Sequence, residues 1–137
     1  MSETHAPNII SWGYENRTVA LRVPGGDNKS RRIEHRVAGS DVNPYMLISS
    51  IVLGVNEGIE KQTEPPNPEV GNAYKSNNDS LPARWQASIS EFQNGQFIHN
   101  RFPKELVDMF LNCKKQECQK LTSKVTDDEM NSYLNTV

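Results

Sequence analysis

The chain has 137 residues, enough for one modest domain with a real core. Fifteen Lys and Arg stand against seventeen Asp and Glu, a formal net charge of -2, which gives no support for nucleic acid or an anionic membrane as a partner. Hydrophobic residues make up 35%, low for a compact domain; the sequence is either a domain with long polar loops or a piece that hides surface against a partner.

The first stretch, MSETHAPNII, lacks a basic segment followed by an apolar one and does not read as a signal peptide. Residues 17–23, RTVALRV, set Val19, Leu21 and Val23 against Thr18, Ala20 and Arg22, which predicts a strand. PGGDNKS follows as a loop in which Gly25 and Gly26 are free to take positive φ. Residues 31–37, RRIEHRV, predict a second strand, antiparallel to the first. On that strand Arg32, Glu34 and Arg36 share one face, and Arg31, Ile33 and His35 the other.

Asn43 and Pro44 suit a helix cap and first position, and explain the start of a helix that includes Tyr45. From there to Ile59 apolar residues fall on nearly every side, which predicts a buried helix with Gly54 and Gly58 allowing close approach of another element. The apolar region around 44–55 is too short and interrupted to span a bilayer. Residues 62–81 form a long Pro- and Asn-rich loop, a type often functional or subunit-contacting. A short helix is expected over about 82–92, with Trp85, Ile89 and Phe92 as one stripe and Gly95 past its end.

Another helix is expected from near Pro103 to about Leu121. Leu106, Val107, Phe110 and Cys113 face inward on it, and Lys114, Lys115, Glu117 and Lys120 are solvated. Thr126 with Glu129 spells a capping box, and Met130, Tyr133, Leu134 and Val137 form the apolar side of a terminal helix. Cys113 and Cys118, five apart, fall on different faces of one helix, so neither a disulfide nor a zinc site is expected. Reduced thiols and a cytoplasmic setting are the default. His99 reads as a surface residue. The fold class is α+β, a β-hairpin followed by about four helices. Two strands are too few for a stable sheet, so further strands come from the N-terminal residues or from sequence not present here.

Cations gather early: Arg17, Arg22, Lys29, Arg31, Arg32 and Arg36, with Glu34 among them. Guanidinium forks suit carboxylate and phosphate. A carboxylate between them is a hard oxygen ligand of the kind Mg²⁺ takes beside nucleotide phosphates. The pattern fits half of a phosphoryl-transfer site or an ion-paired surface strand.

NRTVALRVP, then K-x-RRIEHR, then DVNPY with an apolar helix ending GVNEGIEK resemble the C-terminal part of the glutamine synthetase catalytic domain. Order and spacing agree over residues 7–61, and the helices to Val137 fit more loosely. The resemblance implies a glutamate–amine ligase in which ATP phosphorylates the γ-carboxyl of glutamate and ammonia or a larger amine then displaces phosphate. It implies that Arg17 contacts nucleotide phosphate and the transferring group, and that Arg22, Lys29 and Arg32 also bind the nucleotide. Glu34 would be a ligand of the Mg²⁺ or Mn²⁺ that bridges the phosphates, and Arg36 would bind the glutamate carboxylate. Arg31 and His35 are structural in this reading.

Two departures stand out. HRVAGSD, with SWG before the NR pair, looks more like the γ-glutamylpolyamine synthetase branch, and Trp12 either lines an amine pocket or packs. THAP places His5 where the family often has a flap glutamate, as a candidate acceptor of the amine proton.

The resemblance covers about the last third of a family member. It implies that residues 1–137 are the C-terminal part of the domain, with the N-terminal domain and the central segment, which carries the other metal ligands, elsewhere. One carboxylate cannot hold two or three divalent ions, so the chain alone is expected to be a poor catalyst. A homo-oligomer, or association with the missing part, is implied. The alternatives are a non-catalytic remnant or assembly module that binds a full-length relative, and a plain nucleotide- or anion-binding domain.

Overall fold

In the computed structural model residues 6–134 are described. They divide into two compact units, at Leu81 and Pro82.

The first unit holds a three-stranded sheet in the order β1 (Trp12–Tyr14), β2 (Leu21–Val23), β3 (Glu34–His35). The strand missing from a bare hairpin thus comes from the N-terminal residues. β1 runs parallel to β2, with Trp12 opposite Leu21, Gly13 opposite Arg22 and Tyr14 opposite Val23. β2 and β3 are antiparallel, with Leu21 opposite His35 and Arg22 opposite Glu34. The strands are shorter than the 17–23 and 31–37 spans expected, although Arg36 N–H still donates to the Ala20 carbonyl at 3.0 Å. Alternation does not govern burial before β2. Val19 and Ala20 are both buried, at 0% and 6% exposure, while Leu21 and Ile33 are exposed.

Loop 62–81 explains the pattern. It lies along residues 8–16: Ile10 N–H donates to Asp79 O at 2.8 Å, Glu69 N–H to Trp12 O at 2.8 Å and Leu81 N–H to Asn8 O at 2.9 Å. It contains a short 3₁₀ turn, Ala73–Lys75, capped by Asn72. Ala73 completes a small core with Ile9 and Val19. The long loop is therefore a covering layer of its own unit. Its polar composition serves the backbone, with Asn72 and Asn16 bonding where a regular ladder would.

α1 (Pro44–Glu60) starts as expected, with Asn43 Oδ1 accepting from Tyr45 N–H at 3.0 Å and Met46 N–H at 3.2 Å. Its predicted burial is overturned, because none of its residues is buried. Tyr45, Ile48, Val52, Val55 and Ile59 are 82%, 60%, 59%, 52% and 72% exposed. Nothing approaches Gly54 or Gly58 within 4 Å of where a Cβ would stand. All-round apolarity marks a helix made to be covered, but among the described residues no element covers it.

In the second unit α2 (Trp85–Asn94) and α4 (Lys104–Thr122) pack together, with Phe92 and Phe110 ring centroids 5.2 Å apart. A short additional helix, α3 (Gln96–Arg101), intervenes. Gly95 ends α2 in extended backbone, at φ -70° and ψ 112°, and starts α3. The buried stripe of α4 is Val107, Leu111 and Cys118. Cys113, expected inward, is exposed, because the i, i+4, i+11 row and not the i+6 position meets the neighbouring helices. Both cysteines are free thiols. Lys114 is half-buried over the Phe110 ring, 5.6 Å from its centroid. α5 (Asp127–Tyr133) carries the predicted capping box; Val137 lies outside the described residues. None of the described helices is long and apolar enough to cross a membrane.

Candidate functional site

The site is built on β2, the middle strand. Arg22 is held by register: its partner across the antiparallel ladder is Glu34, and side chains of directly opposed residues project on the same face. Arg22 Nη1 donates to Glu34 Oε2 at 2.7 Å. Arg32 Nη2 donates to the other oxygen, Glu34 Oε1, at 3.0 Å. Glu34 thus lies between two guanidinium groups. The Arg22 hydrogen bond, and then that of Arg32, hold its carboxyl below the usual glutamate range against the opposing effect of burial.

A second carboxylate completes the cluster. Glu15 Oε2 accepts from Arg22 Nη2 at 2.7 Å, and Glu15 Oε1 accepts from Gly25 N–H. The Gly25 N–H first, then Arg22, lower the Glu15 carboxyl. Glu34 and then Glu15 raise Arg22. The Arg22 side chain is only 13% exposed, and its buried Nε–H has no acceptor among the described residues. Glu15 escaped the sequence reading. It lies seven residues from Arg22, and only the parallel β1–β2 pairing and the turn at Glu15, φ 52°, bring them together.

Asn16 and Arg17 follow. Asn16 Nδ2 donates to the Glu69 and Gly71 carbonyls at 3.2 and 2.8 Å, and its Oδ1 accepts from Thr18 N–H at 2.9 Å and Thr18 Oγ1–H at 2.7 Å. The asparagine of the NR pair thereby pins the turn that presents exposed Arg17. Tyr14, Glu15, Asn16, Arg17, Arg22 and Glu69 are among the residues lining a cleft of about 600 Å³.

The remaining predicted residues are spread out. Lys29 has an exposed side chain, in a loop where Asp27 Oδ1 accepts from the N–H groups of Lys29 and Ser30 at 3.2 and 2.9 Å. Arg36 does not join Glu34: its Nη1 donates to the Arg17 carbonyl and, at 3.3 Å, to that of Val19. The expected grouping of Arg32, Glu34 and Arg36 is replaced by a cluster of Arg22, Glu34 and Arg32, because the Arg36 side chain turns to backbone carbonyls while Arg22 stands opposite Glu34. Arg31 bonds Asn28 Oδ1 at 3.0 Å, and His35 is exposed. Trp12 Nε1–H donates to the Pro66 carbonyl at 2.7 Å, its ring meets Tyr14 edge-on, and it lines a cleft of about 410 Å³ with Ile10, Pro66 and Val70. His99 is exposed, its Nε2 2.7 Å from the Gln93 carbonyl. His5 lies outside the described residues.

The described residues include no group of three or more His, Cys, Asp or Glu placed to hold a metal ion. Glu34 fits at most one oxygen ligand, and it stands between the guanidinium groups of Arg22 and Arg32.

Comparison with known proteins matches residues 1–133 to the family model described as glutamine synthetase, catalytic domain. The chain is 30% identical over 126 residues to gamma-glutamylputrescine synthetase of Escherichia coli, covering 92% of this chain and 27% of that protein. It is 35% identical over 125 residues to gamma-glutamylethanolamide synthetase of Streptomyces coelicolor (91% and 27%). It is 32% identical over 130 residues to the glutamate–isopropylamine ligase of a Pseudomonas species (93% and 28%). The chain thus spans little more than a quarter of the length of these relatives. In fold it matches a solved structure described as the GmaS/ADP complex, with a TM-score of 0.81 at 22% identity, over 96% of this chain and 30% of that one.

Proposed function

This chain belongs to the glutamine synthetase family, and from that premise we propose that residues 1–137 are the C-terminal part of the catalytic domain of an ATP-dependent glutamate–amine ligase. The observation that carries the proposal is the Arg22–Glu34–Arg32 cluster, fixed by strand register beside the Arg17 cleft. Three of the similar relatives are named for joining larger amines to glutamate, which supports an amine other than ammonia. A structural neighbour is described as an ADP complex, and at 22% identity its likeness to this chain is one of fold.

In this reading Arg17 and Arg22 hold the phosphates of ATP, Lys29 lies near the nucleotide, Arg32 flanks it, and Arg36 holds the carboxylate of glutamate. The γ-carboxylate oxygen attacks the terminal phosphorus, and the bond to the ADP oxygen breaks. The amine nitrogen then adds to the carbonyl carbon of the acyl phosphate, inorganic phosphate leaves, and the nitrogen gives up a proton. His5 is the candidate acceptor of that proton in this sequence. A bound Mg²⁺ or Mn²⁺ would neutralise phosphate charge. Glu34 supplies one ligand, and the others come from outside the described residues. Guanidinium groups fixed before the reaction stabilise spreading phosphoryl charge without reorganising.

Calorimetric titration of the chain with ADP and Mg²⁺ tests the site: binding lost on Arg22→Ala is expected, and no binding by the wild type removes the reading. Mixing with the upstream part of a family catalytic domain tests the chemistry, with a γ-glutamyl amide as the expected product. A second reading, a non-catalytic assembly module, is favoured by the uncovered apolar row on α1. Co-purification with a full-length relative and no gain of γ-glutamyl amide would select it.

A further inference from the structure

The cleft that Trp12 lines, of about 410 Å³, has no occupant in the proposed mechanism. Trp12, Ile10, Pro66 and Val70 give it apolar walls, and its charged residues are Glu69 and Asp79. No Lys, Arg or His is among the described residues that line it. The Trp12 ring is fixed before any ligand arrives. Its Nε1–H donates to the Pro66 carbonyl at 2.7 Å, the Trp12 carbonyl accepts from Glu69 N–H at 2.8 Å, and Tyr14 meets the ring edge-on, 5.3 Å between centroids. A wall already in place costs little to dock against.

The two carboxylates lack a counter-ion. Glu69 is oriented by neutral donors: its Oε2 accepts from Asn78 Nδ2 at 3.0 Å and from Ser76 Oγ at 3.3 Å. Asp79 serves the fold through its backbone, whose carbonyl accepts from Ile10 N–H at 2.8 Å. Its carboxylate has no partner among the described residues. Negative charge beside a fixed indole and aliphatic walls is the complement of an organic cation. An ammonium group bonds carboxylates and is attracted to an aromatic face, and its methylene chain covers the apolar walls. A metal ion would leave those walls in water, and an anionic ligand would meet like charge.

This cleft adjoins the Arg17 cleft, since Pro68, Glu69 and Val70 line both. Trp12 and Tyr14, two apart on β1, share one side of the strand, and each lines one of the two clefts. A single ligand can therefore lie across the boundary. On the glutamate–amine ligase reading above, on which this rests, we infer that the Trp12 cleft is the amine specificity site and that it selects a diamine. One nitrogen is presented toward the Arg17 cleft, the methylene chain lies on Trp12 and Ile10, and the far ammonium is held by Asp79 and Glu69. Both amines of a free diamine are charged at neutral pH, as a lysine side chain is.

The test is titration of the 137-residue chain carrying Trp85→Phe, which leaves Trp12 as its single tryptophan. The probes are diaminobutane, butylamine and Mg²⁺ at constant ionic strength, read by Trp12 fluorescence and by calorimetry. Saturable binding of diaminobutane is expected, about fivefold tighter than that of butylamine, the scale of one partly exposed ion pair. Asp79→Asn should remove the preference and leave butylamine binding unchanged. Its backbone bond to Ile10 is untouched, and circular dichroism checks that it is folded. Glu69→Gln, with the same expected loss, is the second variant. Equal affinity of the unmutated cleft for diamine and monoamine overturns the inference. So does a preference that survives both substitutions, or a Trp12 response to Mg²⁺ equal to that for the diamine. A parallel ADP titration separates this inference from the reading beneath it. ADP binding without diamine binding removes the inference alone. Diamine binding without ADP binding removes the ligase reading, and with it the assignment of the cleft to a substrate.

Discussion

Arg22 and Glu34 stand directly opposite one another on antiparallel strands, and their side chains meet at 2.7 Å. The pair makes the middle of the sheet the place where charge is organised, since Glu15 and Arg32 each attach to one member of it. Removing either member should therefore do more than delete a ligand. Arg22→Ala leaves Glu15 and Glu34 without their common cation, and ADP affinity in the presence of Mg²⁺ should fall on the order of 10- to 100-fold. Glu34→Gln keeps the geometry and one acceptor, so it should retain metal-free ADP binding and lose the response to Mg²⁺. Titrations of the two variants side by side check this. Equal losses for both, independent of Mg²⁺, would refute the division of roles.

The same cluster fixes a pH dependence. The carboxyls of Glu15 and Glu34 are lowered in the folded chain, by the Gly25 N–H and Arg22 in one case and by Arg22 and Arg32 in the other. A carboxyl lowered on folding binds fewer protons in the native state than in the unfolded one. Its contribution to stability is fully present above the unfolded value of about 4.3 and is lost as pH falls through the lower folded value. Asp27, lowered by Ser30, adds in the same direction. Urea midpoints should hence be level above about pH 5 and decline steadily below it. Glu15→Gln should flatten that decline; an unchanged acid limb would show that Glu15 is not coupled to folding.

Much of this was legible in the residues and some of it could not be. Asn43 and the Thr126–Glu129 box were readable because capping is local. Alternation is local as well, and it put Arg32 and Glu34 on one side, where they meet at 3.0 Å. Which other arginine meets Glu34 was not readable, since that depends on register: Arg22 arrives from the neighbouring strand, while Arg36 turns to backbone carbonyls. Glu15 was hidden for the same reason. α1 failed in another way. Its composition predicts burial, but none of its residues is buried, because composition cannot say what would cover it.

That uncovered face has a measurable consequence. Tyr45, Ile48, Val52, Val55 and Ile59 repeat at spacings of three and four, so they form one exposed row along α1. Apolar rows of this extent are unusual on a monomer's surface and favour association. The isolated chain should bind an apolar fluorescent dye and show concentration-dependent sedimentation. Ile48→Glu with Val52→Glu should abolish both with little loss of helicity, because neither side chain is buried. Persistence of association in the double variant would place the contact elsewhere.

Gly13 offers a stability test at the back of the site. In the sequence it belonged to SWG, a mark of one branch of the family. In the structure it lies opposite Arg22 on β1, in a position only glycine fits. A Cβ there would stand 2.7 Å from the Glu69 carbonyl oxygen. That oxygen cannot easily retreat: it accepts from Asn16 Nδ2 at 3.2 Å, and the Glu69 N–H is bonded to the Trp12 carbonyl at 2.8 Å. Gly13→Ala must therefore push β1 and the 69–71 segment apart, at a cost of about 1–3 kcal/mol. The displacement would reach Asn16, which holds the same segment, and with it the turn that presents Arg17. The variant should unfold at lower urea and bind ADP less tightly. Gly54→Ala, at a glycine with nothing within 4 Å, is the control and should be neutral or slightly stabilising, as alanine in an exposed helix usually is. Equal urea midpoints for Gly13→Ala and the wild type would mean that β1 and the 69–71 segment are not held together in solution.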